Sequence, residues 1–430
     1  MSDAENVGAA TITPWGDASE LRARRLYPGA GTPAEDVARN QRERLFGAIF
    51  AVVAAKGYEA STVADVIELS GVSRSAFYAH FENKAQCLAA AASELIEPTL
   101  AELRAAGDGP RALQRLLAMF ERRPAAARVY LIELRAAGEP GEEVANRGAA
   151  ALASLLAGLA EEGDEPGPDP ELAGLLVAGL AKLLETRLCR EEQGGLAAIA
   201  PELWRWLASI APPPRPLARR RGRLEAGPRF QGYTPAERIA RAVASVVAER
   251  GYLATSTDDI ARAASISLST FYAHFADKRD AMLAALEMGG AQLMALAVPA
   301  ARRASGWQEG VRALYEAICA YFAAEPELAR LATEGIYGAG AEALARRDRV
   351  IDSLAAMLAP GFAENPEAPA VSAEAIAATV YALMREQVLS KGPESIGAII
   401  PLATYITLVT FVGPDRALAV ASDGAPNRTS

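Results

Sequence analysis

One segment of this chain occurs twice. Residues 57–84 read GYEASTVADVIELSGVSRSAFYAHFENK, and 194 residues later residues 251–278 read GYLATSTDDIARAASISLSTFYAHFADK. The two align without a gap, 12 of 28 positions are identical, and the chain's two histidines, His80 and His274, both fall inside FYAHF. A gap-free repeat of this length restricts the chain to two copies of one folding module. With 430 residues, each half has enough chain to bury a core of its own. Ala and Leu dominate, Pro and Gly act as punctuation, and no alternating β-type pattern is sustained, so the expected fold is all-α.

A net charge of −9 argues against a basic coat that would wrap nucleic acid without selectivity. Any DNA contact has to come from local basic spots. Cys87, Cys189 and Cys319 lie far apart with no metal-type spacing, which fits a reduced, cytoplasmic compartment and neither metal nor cofactor. The pattern of a nucleophile elbow, P-loop, zinc helix or paired carboxylates does not appear with supporting context, so the chain reads as no enzyme. The first 30 residues begin acidic and lack an apolar centre, so no signal peptide is expected. Residues 396–412, IGAIIPLATYITLVTFV, carry no charge. That run is at the lower limit for a bilayer, is interrupted by Pro401 and lacks a close basic anchor, so burial in a helical core is expected and no membrane.

Residues 1 to about 34 read as mobile, with Arg22, Arg24 and Arg25 as a short basic cluster. Helical periodicity runs over 35–56, and after the repeat over 86–106, 111–123, 125–137, 142–162, 171–192 and 196–210, separated by Gly and Pro breaks. A Pro-rich stretch at 212–216 opens a linker to about residue 233. It carries Arg215, Arg219, Arg220, Arg221, Arg223 and Arg229 against one acid, Glu225. It reads either as a solvated tether or as an arm along phosphates or a minor groove. The second half repeats the scheme from a helix over 236–250, and Pro326 echoes Pro124 as the opening of a helix.

Within the repeat, Thr62 followed by Asp65 has the form of a capping box, as do Ser256 and Asp259. The helix so started is short, Gly71 supplies a turn, and Ser73 caps a second short helix over 74–81; Ser267 is its counterpart. Two short helices around a tight turn form a unit that fits a major groove. Phe77 and Phe81 share one face and anchor the second helix, turning Arg74, Ser75, Ala76 and Tyr78 outward. First-turn residues of such a helix meet base edges, and Arg74 can bond guanine through two hydrogen bonds. Tyr78 and His80 suit phosphate oxygens. Asn83 caps the next helix, so Lys84 with the amides there would form an anion site. Tyr272, His274, Asp277 and Lys278 take the same roles in the second copy.

The pattern G-Y-x-A-[ST]-[ST]-x-x-[DE]-[IV]…G-V-S-x-x-x-F-Y-x-H-F-x-[NDS]-K resembles the N-terminal domain of TetR-family transcriptional regulators. Each half is similar to one whole family member, specifically in its first 50 or so residues and in architecture beyond. The resemblance implies two tandem units, each a three-helix DNA-binding domain followed by a helical domain for effectors and dimerisation: 35–84 and 85–211, a linker at 212–233, then 234–278 and 279–415. It assigns phosphate contacts to Thr62, Tyr78 and Lys84, and to Ser256, Tyr272 and Lys278. Base readers become Arg74, Ser75 and Ala76, and Leu268, Ser269 and Thr270. The function implied is a repressor released by a small apolar effector and bound to double-stranded operator DNA.

Two departures mark the second copy. Ser265 stands where the turn glycine is expected, at a cost of up to about 1 kcal/mol if left-handed, and Leu268 replaces Arg74. Unequal half-sites are therefore expected, or loss of specific binding by that copy. The resemblance implies that helices over 171–210 and 373–412 pair as a four-helix interface, which would account for the uncharged run and give a single-chain pseudo-dimer; a homodimer of the chain is the other assembly. A rival reading is an effector-binding or interaction scaffold with vestigial DNA-binding domains, and another is an architectural DNA binder without effector. Trp204, Trp206, Trp307, Tyr130, Tyr315 and Tyr337 are core or effector-pocket aromatics, and Cys87 senses oxidants only if exposed. No effector-binding residue is assignable.

Overall fold

The computed structural model describes residues 12–27, 33–162, 166–190, 195–217, 224 and 234–422. Among these every regular element is helical except for a hairpin of two-residue strands, β1 (Ile12–Thr13) and β2 (Gly16–Asp17). It divides into two compact units, and the division does not follow the Pro/Arg-rich linker. Residues 1–155 with 191–198 form the first, and residues 156–190 with 199–430 form the second.

The first unit contains the hairpin and helices α1 (Ala34–Ala60), α2 (Val63–Ser70), α3 (Arg74–His80), α4 (Lys84–Glu94), α5 (Ile96–Arg104), α6 (Gly109–Arg122), α7 (Pro124–Arg128) and α8 (Leu134–Ala136), and most of α9 (Glu139–Glu162). Gly57, at φ 76°, breaks the helical geometry of α1 and turns Tyr58 inward. The single helix expected over 86–106 is two, parted at Leu95. That expected over 125–137 is interrupted by a π-turn at Val129–Glu133, which delivers the buried Glu133 carboxylate to the amide of Tyr58 at 2.8 Å. Non-local pairing of this kind leaves no trace in periodicity. The core joins Phe46, Phe50, Phe77, Phe81 and Leu88, contributed by helices distant in sequence.

The N-terminal segment corrects the expectation of mobility for residues 12–27. Ala18 and Leu21 are fully buried against this core, and the Trp15 ring lies 5.4 Å from Phe46 and 5.2 Å from Phe50.

The second unit begins with helices of the first half of the chain, α10 (Pro170–Cys189) and α11 (Ala200–Ser209). The second half supplies α12 (Pro235–Arg250), α13 (Thr257–Ala263), α14 (Leu268–His274), α15 (Lys278–Arg302), α16 (Trp307–Ala324), α17 (Pro326–Thr333), α18 (Ala341–Ala356), α19 (Gly361–Glu364), α20 (Ser372–Lys391), α21 (Ile400–Val412) and α22 (Pro414–Ser422). Helices α12 to α15 repeat α1 to α4, and α17, like α7, opens on proline. Two helical stretches, α15 and residues 393–412, are long and apolar enough to cross a membrane, but 78% of the second is buried in the unit, as the uncharged run led us to expect.

Helix α10 lies along α20, and α11 touches α20 and α21. Backbones approach closely where they meet: a Cβ on Gly179 would collide with Thr379 Oγ1 and stand 2.7 Å from its Cα. Arg187 grips Glu374 through two bonds of 3.1 and 2.6 Å, Ser209 meets Thr410 at 3.2 Å, and Tyr405 donates to the Ala211 carbonyl at 2.9 Å. At the centre four charged groups are buried together. Lys182 bonds Asp348 at 2.8 Å and Glu185 at 3.2 Å, and Arg347 bonds both Glu185 and Asp348. Tyr337 donates to the other oxygen of Glu185 at 3.0 Å. Burial works against the Arg347 charge, yet Glu185, Tyr381 and Asp348 hold its pKa well above the usual value. Two cations and two anions thus cancel where any one alone would be prohibitive.

Candidate nucleic-acid interface

The two repeats build the same local structure from their caps outward. Thr62 Oγ1 accepts from the Asp65 amide at 3.2 Å, while Asp65 accepts from the Thr62 amide at 2.8 Å, closing the box that starts α2. Ser256 and Asp259 close theirs at 3.2 Å in both directions. A cation from the preceding helix braces each acid, Lys56 to Asp65 at 2.9 Å and Arg250 to Asp259 at 3.2 Å. Burial opposes the Asp65 charge, but bonds from Lys56 and Thr62 outweigh it and lower the pKa.

The turn that follows is left-handed in both copies, with φ 63° at Gly71 and 54° at Ser265. Ser265 is the one non-glycine residue with positive φ among the described residues. Ser73 then accepts from the Ala76 amide at 3.2 Å and Ser267 from the Thr270 amide at 3.1 Å, starting α3 and α14.

On these short helices one face is dry and the other open. Phe77 and Phe271 have no exposed surface, whereas Arg74, Ser75 and Ala79, and Leu268, Ser269 and Ala273, are exposed. Tyr78 is 48% and Tyr272 55% exposed, unusual for tyrosines flanked by a buried core. Ala76 and Thr270 sit at the half-buried edge. The Arg74 guanidinium rests 5.8 Å from the Tyr78 ring centre, and the Tyr272 hydroxyl lies 3.3 Å from Thr257 Oγ1. The first copy therefore offers a cation, small hydroxyls and a phenol; the second offers an aliphatic side chain in place of the cation.

The histidines and lysines are less alike, or less free, than their sequence positions suggest. His80 is half-buried and bonded to Gln41 at 3.1 Å; burial, with a contribution from Arg42, lowers its pKa. His274 is exposed, and proline, Pro235, stands where Gln41 does in the first copy. Lys84 donates to the carbonyls of Tyr58 and Ser61, both at 2.7 Å, with its ammonium 4.2 Å from the Tyr58 ring centre. Lys278 repeats this with Tyr252 and Thr255 at 3.1 Å. Each lysine ties the start of one helix to the end of another. Of the linker arginines, Arg215 is exposed; Arg219, Arg220, Arg221, Arg223 and Arg229 lie outside the described residues.

The second unit also holds a cavity of about 100 Å³ among α15, α16, α17, α18 and α20. Its wall is almost wholly apolar, with Leu293, Ile318, Phe322 and Met384, the phenols Tyr315 and Tyr321, and Arg347 at one side. Of the six aromatics singled out above, Tyr315 lines this cavity; it bonds Thr407 at 2.7 Å, and burial pushes its pKa up to about 12. Trp204 and Trp206 are core, Tyr337 serves the buried charges, Trp307 bonds the Met357 carbonyl, and Tyr130 packs beside Gly148. Cys87 is wholly buried, and burial raises its thiol far from a reactive thiolate.

Residues 45–91 and 239–286 each match the model of the tetR family of bacterial regulatory proteins. No curated protein sequence matches the chain. Similar solved structures include the fatty acid degradation regulator FadR of Bacillus halodurans, at 17% identity and a TM-score of 0.37 over 41% of this chain and 96% of that one. FadR of Bacillus subtilis, in complex with stearoyl-CoA, gives 20% and 0.34 over 39% and 97%. The TetR-family regulator PfmR of Thermus thermophilus gives 23% and 0.33 over 42% and 97%.

Proposed function

We propose, for a chain that carries the tetR-family DNA-binding module twice, a cytoplasmic repressor that reads an asymmetric operator as a single-chain pseudo-dimer. Its division of labour follows the repeats: DNA-binding domains at 35–84 and 234–278, helical regulatory domains at 85–211 and 279–415, and a linker between. The observation that carries the reading is the packing of α10 and α11, from the first half, on α20 and α21 of the second. In a two-chain regulator such a pairing would join separate subunits; here a tether holds it at an effective concentration of roughly mM.

The bases are read by Arg74, Ser75 and Ala76 in one half-site and by Leu268, Ser269 and Thr270 in the other. Arg74 favours guanine, while Leu268 favours a thymine methyl. Thr62, Ser73, Tyr78 and His80, with Ser256, Ser267, Tyr272 and His274, face the phosphates, and Lys84 and Lys278 brace the segments leading to Thr62 and Ser256 through the carbonyls of Tyr58, Ser61, Tyr252 and Thr255. Release is assigned to an apolar effector entering the cavity beside Tyr315. At about 100 Å³ the cavity takes a ligand smaller than benzene's engineered site of about 150 Å³ unless the helices part.

Selection of duplexes from a random pool by the purified chain tests this. The expected product is a site with two dissimilar halves about one DNA turn, or 34–36 Å, apart. Absence of any preference would favour the scaffold reading. A perfectly symmetric site, equally weakened by Tyr78→Ala and Tyr272→Ala, would defeat the asymmetric one.

A further inference from the structure

The N-terminal segment is a built feature of the first unit. Residues 12–27 are fixed by Trp15, Ala18 and Leu21 in the core of the first unit, and by Asn40 of α1, which accepts from the Leu26 amide at 3.2 Å and donates to the Arg24 carbonyl at 3.0 Å. Positions 194 residues on belong to the end of α11 and the Pro-rich stretch, which runs into arginines outside the described residues.

What the anchored segment presents is charge. Residues 22–27, Arg-Ala-Arg-Arg-Leu-Tyr, are all exposed. Arg24 is tied to the Trp15 carbonyl, and Arg25 lies 4.7 Å over the Tyr27 ring. Arg22 lies against the turn between α2 and α3: a Cβ on Gly71 would stand 2.6 Å from Arg22 Cγ and 3.3 Å from Arg44 Nη2. Gly71 is two residues from Ser73, the cap of the reading helix. Among the described residues neither Arg22 nor Arg25 has a carboxylate partner. Asp17 is occupied as the cap of its own turn, bonded to the Ser19 amide at 2.8 Å. The Arg25 charge also presses on buried Arg44, adding to burial in lowering its pKa. Like charges gathered beside a reading helix, in a chain of net charge −9, carry a cost that a polyanion would remove.

We propose that Arg22 and Arg25, held by the Trp15-anchored segment, are additional phosphate contacts that extend the half-site under the first module beyond the reach of α3. The proposal rests on the first module's binding duplex DNA, and it makes that half-site longer and more salt-sensitive than α3 alone would.

The test uses the full chain and a duplex recovered by selection, with affinity followed by fluorescence anisotropy across rising salt. Arg22→Gln/Arg25→Gln keeps the side-chain stems over the turn and removes two charges. Loss of two phosphate contacts lowers the slope of log affinity against log salt by about 1.8. Arg22→Lys/Arg25→Lys keeps the slope. An unchanged slope in the glutamine variant, with the wild-type chain still bound, overturns the proposal. A wild-type chain that binds no duplex at all instead overturns the function it rests on.

Discussion

Gly71 and Ser265 occupy one position in two copies of the same turn, and their difference is chemical. Both are left-handed, but only Ser265 carries a Cβ into that conformation, a strain of about 1–2 kcal/mol. Ser265→Gly trades that strain for the greater freedom of unfolded glycine, a return of about 0.5–1 kcal/mol, so it should stabilise the second unit by up to about 1.5 kcal/mol in denaturant melts. Gly71→Ser should do the reverse and lose about 1–2 kcal/mol, since it also meets Arg22. His80 gives a second test at this scale. Burial and Arg42 depress its folded pKa, so its contribution is present above the unfolded value of about 6.5 and is lost as pH falls through the folded value. Thermal melts of the first unit should therefore weaken as pH falls below about 6.5, and His80→Gln should flatten that dependence. Asp65, also lowered, responds only in the more acid carboxylate range. The residues of both modules were legible because caps, turn and buried phenylalanines are local signals. The lysine struts were not, since their carbonyl partners lie 23 to 26 residues away.

At the scale of elements, start and stop signals placed the helices well wherever a capping side chain or proline stood at the boundary, as with Asp108, Pro124 and Thr234. They failed where tertiary contacts interrupt a good helical sequence, at Leu95 and in the π-turn around Tyr130. They failed again for β1 and β2, too short for any alternation to register. Helix α10 allows packing to be separated from propensity. A Cβ at Gly174 would meet nothing within 4 Å, whereas one at Gly179 would strike Thr379. Gly174→Ala should raise the stability of the second unit by about 0.5–1 kcal/mol, the usual gain for glycine in a helix interior. Gly179→Ala should lower it despite the same gain, because α10 and α20 must part. Equal stabilisation by both, read in thermal melts, would mean that these helices do not pack closely in solution.

For the whole molecule, the family resemblance implied that two pairs of helices meet, and the uncharged run by itself pointed only to burial. The buried quartet of Lys182, Glu185, Arg347 and Asp348 was illegible, because its two halves stand over 160 residues apart and read as ordinary helix-face charges. That quartet ties α10 to α18: a partner lacking it would leave a cation and an anion without their opposite numbers in the dry interior, and removal of one member, as in Glu185→Ala, should cost about 3–5 kcal/mol. The tether then has a distinct task, which cutting it exposes. With a protease site placed in the 212–233 stretch, the cleaved halves should remain together at micromolar concentration, held by α10 and α11 on α20 and α21. On dilution they should separate, and operator affinity should become dependent on protein concentration, whereas the intact chain keeps one affinity at every dilution because pairing there is intramolecular. Glu185→Ala should bring that separation to higher concentration in the cleaved protein and leave the intact chain on its operator. If cleaved and intact proteins bind the operator alike down to nanomolar concentration, the covalent link adds nothing to assembly, and the two halves cohere through their helices alone.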